Sequence, residues 1–360
     1  MLDDEARRTH VTDSPTTWIV LGGFTDGDAD GAPSGLAVHA ADAAGDEPVD
    51  VLALENPTWI TPAPRGPLLY VSHSARRTLS AVRLDAEGTL QLVDEIDIGA
   101  MNPAHVAVGP DGRSLIASCF TEGAVVRVAL DEQGAFAGID RTWPLAGAAP
   151  GATHRNALQS DAEPHQATLL DDGSLLVPDR AQDVVHRIAA DGRHEIAAVL
   201  RPGSGPRHLV LHPTAPVAYL VCELDASLVT LRRSGPAGEA LEPIDVRTVL
   251  PPDWFGESAA AAISLDAGRH RLYVTNRGHD SVAVIDVRDA QAPEVVGWLP
   301  VEGATPRFAG VLPMLDVLAV AAMGSHRVDL LDPGNAAEGI RAVRRALVHA
   351  APACAVAVAR

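Results

Sequence analysis

Cysteine is scarce. The 360 residues hold three, Cys119, Cys222 and Cys354, far apart and each inside an apolar run. An odd, scattered set fits neither a disulfide framework nor metal-ligand spacing, and reads as buried free thiols in a reducing compartment. Positive charge is short as well: 28 basic residues against 47 acidic leave a net charge of −19. That excludes the basic footprint that nucleic acid or an anionic membrane demands. No apolar run reaches the ~18 residues that suggest a membrane span. The opening M-L-D-D-E-A-R-R-T-H lacks the apolar core of a signal peptide. A cytoplasmic protein, most simply a monomer, is expected.

Several chemistries are also missing. The sequence has no G-x-S-x-G elbow, Walker loop, strand–helix G-x-G-x-x-G or H-E-x-x-H. D-G-D-A-D-G at Asp26–Gly31 faintly resembles a calcium loop but lacks the distal Glu, and reads as a surface loop. No metal and no cofactor are expected.

What is present is a repeat. A chain of 360 residues exceeds a usual single core, so two domains or a repeat architecture is required. With 47% hydrophobic residues a large core can be buried. Residues 1–16 are polar and read as a disordered tail. From there a unit recurs: a Pro turn, a short apolar strand, a Gly/Pro/Asp turn, a strand rich in Leu, Val and Tyr, a polar corner, and an alternating strand. Copies open at N-P-T-W (Asn56), N-P-A-H (Asn102), E-P-H-Q (Glu163), G-P-R-H (Gly205), E-S-A-A-A-I (Glu257), T-P-R-F (Thr305) and A-P-A-C (Ala351). A period of about 45 residues with three or four short strands is the mark of a β-propeller.

Seven openings predict an all-β, seven-bladed ring in one domain, residues 17–360. The last copy stops after one strand, so the C-terminal strand should complete the blade whose outer strands lie in residues 17–39. The stretch Thr142–Ala162 reads as a long insertion, and a weak helical period covers Asp332–Ala346.

Repeat position points to a site. Innermost strands surround a propeller's axis, and their entrances share a mouth. The two residues after each opening proline include His165, Arg207 and Arg307, then Gln166, His208 and Phe308. The residue four past the Tyr of each second strand, or its equivalent, is Ser74, Phe120, Arg180, Glu223, Arg277 or Met323. Charge therefore gathers at two structural positions in the copies from Glu163 to Thr305. One acid among several cations suits an anionic substrate and one general base. Each residue also has a plainer reading. His165 is then a hydrogen-bonded turn histidine, Arg207 and Arg277 pair with Glu223 or Asp225 to hold blades together, and Glu223 is a solvated corner. His73, His105, His154, His186, His212 and His326 read as surface or turn residues.

The segments G-S-G-P-R-H-L-V-L-H-P, Y-L-V-C-E-L-D-A-S, R-L-Y-V-T-N-R-G-H-D-S, E-P-H-Q-A-T and G-A-T-P-R-F together resemble the lactonase family of seven-bladed propellers. That family includes bacterial 6-phosphogluconolactonase and carboxy-cis,cis-muconate lactonising enzymes. The resemblance spans residues 17–360. It implies a metal-independent site at the mouth with a catalytic set of His165, Glu223, Arg207 and Arg277. Either Glu223 or His165 would act as base and Arg207 or Arg277 would hold the oxyanion. Arg307 and His208, with Arg180, would bind the substrate's phosphate or carboxylate. A small anionic lactone or carboxylate is the expected partner, and hydrolysis of a sugar lactone such as 6-phosphogluconolactone the expected reaction. A muconate-type cycloisomerase and a non-enzymatic binding propeller are the alternatives. The chain departs from the family pattern at Glu163-Pro164-His165, where H-P-H is usual, and at Pro178-Asp179-Arg180-Ala181, where P-D-L-G is usual. It departs again at Ala321-Ala322-Met323-Gly324-Ser325, where A-N-Q-D-S is usual.

Overall fold

A computed structural model of the chain describes residues 17–26, 31–109, 111–145, 161–236 and 238–359. The expected tail and His154 lie outside the described residues, as do most of the Asp26–Gly31 loop and of the insertion. The strands form seven four-stranded antiparallel sheets; six follow chain order from the inside outward, and the seventh has the C-terminal strand innermost. Innermost strands are Pro57–Pro62, Pro103–Val108, Thr168–Leu169, Pro206–Leu211, Ala259–Asp266 and Pro306–Leu312, which begin blades 1 to 6, and Pro352–Ala359 in blade 7.

Second strands such as Ser114–Cys119 and Val217–Cys222 are buried along their whole length, because a neighbouring blade covers each face. Fourth strands such as Leu90–Asp97 form the exposed rim. Apolar clusters lie between adjacent blades; one joins Tyr219 and Val221 of blade 4 to Leu272 and Val274 of blade 5.

The chain's three tyrosines fasten blades to one another. All three are buried in second strands, and each hydroxyl donates to a carbonyl of the following blade. Tyr70 bonds Gly134 O at 2.9 Å, Tyr219 bonds Ala290 O at 2.9 Å, and Tyr273 bonds Pro333 O at 3.4 Å. Such bonds contribute about 1 kcal/mol each and fix the rotation of one sheet on the next.

The ring closes as expected. Thr17–Gly23 pairs antiparallel with Pro352–Ala359, from Thr17 opposite Ala359 to Gly23 opposite Pro352. Blade 7 extends beyond residue 39, however, because Asp50–Leu52 supplies its fourth strand. The weak helical period is also corrected. Helix occupies only Pro333–Ala337, capped where the Asp332 side chain accepts from Asn335 N, and Val343–Val348 is the outer strand of blade 6. Among the described residues, no helix is long and apolar enough to cross a membrane. The three cysteines are free and buried.

Candidate active site

Alternation along a strand should send only one of two consecutive residues toward the axis. Here both face the same space, and the backbone shows why. Pro206 pairs with Cys222 and His208 with Val221, so Arg207 is the extra residue of a β-bulge. Thr58, Ala104 and Arg307 are bulged in the same way. A bulge re-aims its side chain. The residue before each of these prolines takes a left-handed conformation: Asn56, Asn102, Gly205 and Thr305 have φ of 47°, 61°, 67° and 60°. At Gly205 a side chain is also excluded by space, since a Cβ would lie 2.6 Å from Leu224.

The carbonyl of the pre-proline residue then ties in the second position of the repeat. Glu223 N donates to Gly205 O at 2.6 Å, Phe120 N to Asn102 O at 2.8 Å, and Arg180 N to Glu163 O at 3.1 Å. In blades 2, 3 and 4 this backbone clamp brings the two sequence-predicted positions side by side, and in blade 5 Arg277 pairs with Ala259 instead.

The clamps surround a cavity of about 260 Å³. His165, Arg207, His208, Glu223, Arg277 and Arg307 all line it. The opposite wall, from blades 7, 1 and 2, is neutral and includes Trp59, Ala104, Phe120 and Ala353. Trp59 and Phe120 belong to the wall at positions the repeat had marked, although neither carries charge. Trp59 lies edge-on to His208 at 5.9 Å, and Phe120 edge-on to His165 at 5.4 Å. Arg180 is not part of the lining; it bonds Glu163 and Glu223 instead.

Glu223 is no solvated corner. It is 8% exposed and holds three arginines. Arg207 Nη1 donates to Oε2, while Arg180 Nε and Arg277 Nη2 approach Oε1 at 3.2 and 3.3 Å. Burial alone would raise its pKa, but Arg207, Arg277 and Arg180 outweigh burial and hold the carboxyl well below the usual range. The plainer reading of the arginines is thus correct as far as it goes, for they do bridge blades 3, 4 and 5 through Glu223. Asp225 pairs with Arg201 instead, at 2.6 Å.

Glu223 does not exhaust its partners. Arg207 Nε donates to Ala261 O at 3.0 Å, and Arg277 donates to Ala259 O and Ala260 O at 3.3 and 3.0 Å. One terminal nitrogen of each, Arg207 Nη2 and Arg277 Nη1, has no acceptor among the described residues. Arg307 has no carboxylate partner there either; its guanidinium lies over the Phe24 ring at 5.2 Å. Burial and the Arg277 charge push its pKa down to about 10, with Glu223 opposing. For Arg207, burial and the Arg277 and Arg307 charges, again opposed by Glu223, give about 9. Both stay cationic at neutral pH. Three arginines and one carboxylate leave the lining with two net positive charges on a chain of net charge −19. The sequence has no lysine, so arginine supplies every long cationic side chain.

His165 Nδ1 and His208 Nε2 share a hydrogen bond of 3.1 Å. His165 Nε2 has no protein partner among the described residues. Burial, then the Arg207, His208 and Arg307 charges, keep His165 well below 6.5, and His208 is lowered chiefly by burial and Arg207. Both rings are neutral at pH 7.

Three other histidines differ from expectation. His73, His105 and His186 are buried, not at the surface. His73 bonds Glu55 O and Ser80 Oγ at 2.6 and 2.8 Å, and His186 bonds Asp179 at 3.3 Å. His105 stacks on Trp59 at 4.6 Å. Among the described residues, no group of three or more His, Cys, Asp or Glu is arranged to hold a metal.

A closed seven-bladed ring with a cationic, histidine-bearing mouth defines a class of β-propeller. The chain belongs to the lactonase family of seven-bladed β-propellers, whose model matches residues 19–357. Among its relatives, 6-phosphogluconolactonase of Bacillus subtilis is 27% identical over 299 residues, covering 80% of this chain and 82% of that protein. The 6-phosphogluconolactonase of Formosa agariphila is 26% identical over 332 residues, covering 86% and 90%. The solved periplasmic gluconolactonase of Pseudomonas aeruginosa shares the fold, with a TM-score of 0.82 at 23% identity over 95% of this chain and 99% of that one.

Proposed function

We propose that the protein hydrolyses a small lactone bearing a phosphate or carboxylate, such as 6-phosphogluconolactone, at the propeller mouth. The observation that carries this reading is one cavity with two uncommitted groups: a neutral His165 with Nε2 unpartnered, and Arg307 with no carboxylate partner among the described residues. The relatives named 6-phosphogluconolactonase support it.

His165 serves as the base. With Nδ1–H donating to His208, Nε2 keeps its lone pair and takes a proton from water as the water oxygen attacks the lactone carbonyl. The spare nitrogens of Arg207 and Arg277 donate to the oxyanion. Collapse breaks the ring C–O bond, and the imidazolium returns its proton to the departing alkoxide. The product is the ring-opened hydroxy acid. Glu223 is unsuited to the base role assigned to it as an alternative, because three guanidinium groups occupy its oxygens. The lowered basicity of His165 is tolerable for a reactive ester, and the negative charge of a bound substrate offsets the arginine fields that lower it.

Arg307 and His208 bind the anionic group, Arg307 as a planar fork. The three free, buried thiols suit a reducing cytoplasm, where we place the reaction. The test is a panel of phosphorylated, carboxylated and neutral lactones followed by proton release. Turnover that depends on the anionic group supports the reading. Turnover of none, or lactone formation from an unsaturated dicarboxylate, overturns it.

A further inference from the structure

Glu223 is gripped from outside the cavity lining by a second ion pair. Arg180 directly follows Leu175–Asp179, the second strand of blade 3, one blade before Glu223, and its Nε donates to Glu223 Oε1 at 3.2 Å. Its Nη1 donates to Oε2 of Glu163, the residue that also anchors Arg180 through the backbone clamp. The two side chains are only 12% and 11% exposed. The Arg180 guanidinium further lies over the Phe120 ring at 5.4 Å, the ring that packs edge-on against His165.

We infer that Glu163 and Arg180 are positioning residues that keep Glu223 a fixed, ionised anchor for Arg207 and Arg277, and so set the spacing of the two guanidinium groups whose spare nitrogens give the cavity its affinity for anions. Glu223 Oε1 is shared between Arg180, outside the lining, and Arg277, within it. Losing Arg180 would let the carboxylate rotate, and the arginines that depend on it would spread. Arg180 alone cannot be removed cleanly, because Glu163 would remain buried without this counter-ion. Neutralising both removes one positive and one negative charge, so the local charge is kept and only the grip is lost. The catalytic consequence rests on the lactonase reading above; the consequence for anion binding does not.

The experiment compares wild type, Arg180→Leu, Arg180→Lys and the double variant Glu163→Gln/Arg180→Leu. Calorimetric titration with inorganic phosphate is run beside kinetics on 6-phosphogluconolactone, with thermal melts to show that each variant is folded. The double variant should bind phosphate about tenfold more weakly than wild type and lose a similar factor in kcat, as expected for side chains within one ion-pair network. Arg180→Lys should recover part of both, because an ammonium cannot fork between two carboxylates. A folded double variant with wild-type phosphate affinity overturns the inference, whatever the lactone assay shows. Wild-type protein that opens no lactone overturns the functional reading instead, and the phosphate titration still decides this one.

Discussion

Arg307 offers the sharpest test of the division between binding and stability. It sits on the bulge of blade 6, largely buried, with an aromatic ring as its recorded neighbour and no carboxylate partner among the described residues. Its pKa falls from the ordinary 12.5 to about 10 through burial and the Arg277 charge. At about 1.36 kcal/mol per pH unit, that drop amounts to roughly 3 kcal/mol of unfavourable charge placement as an upper bound. Water in the cavity screens much of it, leaving about 1 kcal/mol. Arg307→Met keeps the length, removes the charge and strands no acid partner. The melting temperature should therefore rise, by about 1–2 °C for a chain of this size. Binding should move the other way. A charge-assisted bond to phosphate contributes about 1.5–3 kcal/mol, so KM for 6-phosphogluconolactone should increase by about 10- to 100-fold. KM for unphosphorylated gluconolactone should barely change. Differential scanning calorimetry and kinetics on the two lactones measure both effects. A less stable variant with an unchanged KM for the phosphorylated lactone would refute the reasoning.

Three further predictions concern charge. Glu223→Gln should lower stability by about 3 kcal/mol and reduce turnover, because three buried arginines would then share a neutral amide; an unaltered urea midpoint would contradict this. In a pH–rate profile, turnover should be level through pH 7 and fall only well below pH 6.5, where His165 protonates. Folding stability should also respond to acid. Burial lowers His105 to about 3 and His39 to about 4, so both stay neutral in the native state while the unfolded chain gains protons near 6.5. Their contribution is complete above pH 6.5 and is lost as pH falls toward 4 and 3. The slope is about 1.4 kcal/mol per pH unit for each histidine, readable from urea midpoints across that range.

Repeat position was the informative signal in the sequence, more so than residue type. The proline and the left-handed residue before it mark each bulge, so Arg207 with His208, and Arg307 with Phe308, could be placed at one mouth from spacing alone. The partners within the site were not legible. Glu223 and Arg180 lie 43 residues apart, and their contact depends on the angle between blades 3 and 4. For the same reason repeat position places Arg180 at the mouth without showing that it grips Glu223 from outside the lining. A single histidine in a strand leaves no periodic trace, so nothing in the sequence separates His73 and His186 from surface or turn residues. Their burial follows from the blades packed on either side. Asp50–Leu52 is not legible as a strand because three partly exposed residues beside acidic neighbours carry too little alternation to mark an edge.

The most direct test of the lactonase reading is the rate of 6-phosphogluconolactone opening, measured by proton release, for wild type and His165→Gln at pH 7. The account predicts opening by wild type well above the spontaneous rate. It predicts a loss of about 10²- to 10⁴-fold in the variant, with the fold and phosphate affinity retained. Wild-type protein no faster than buffer, or a His165→Gln variant as fast as wild type, would contradict it.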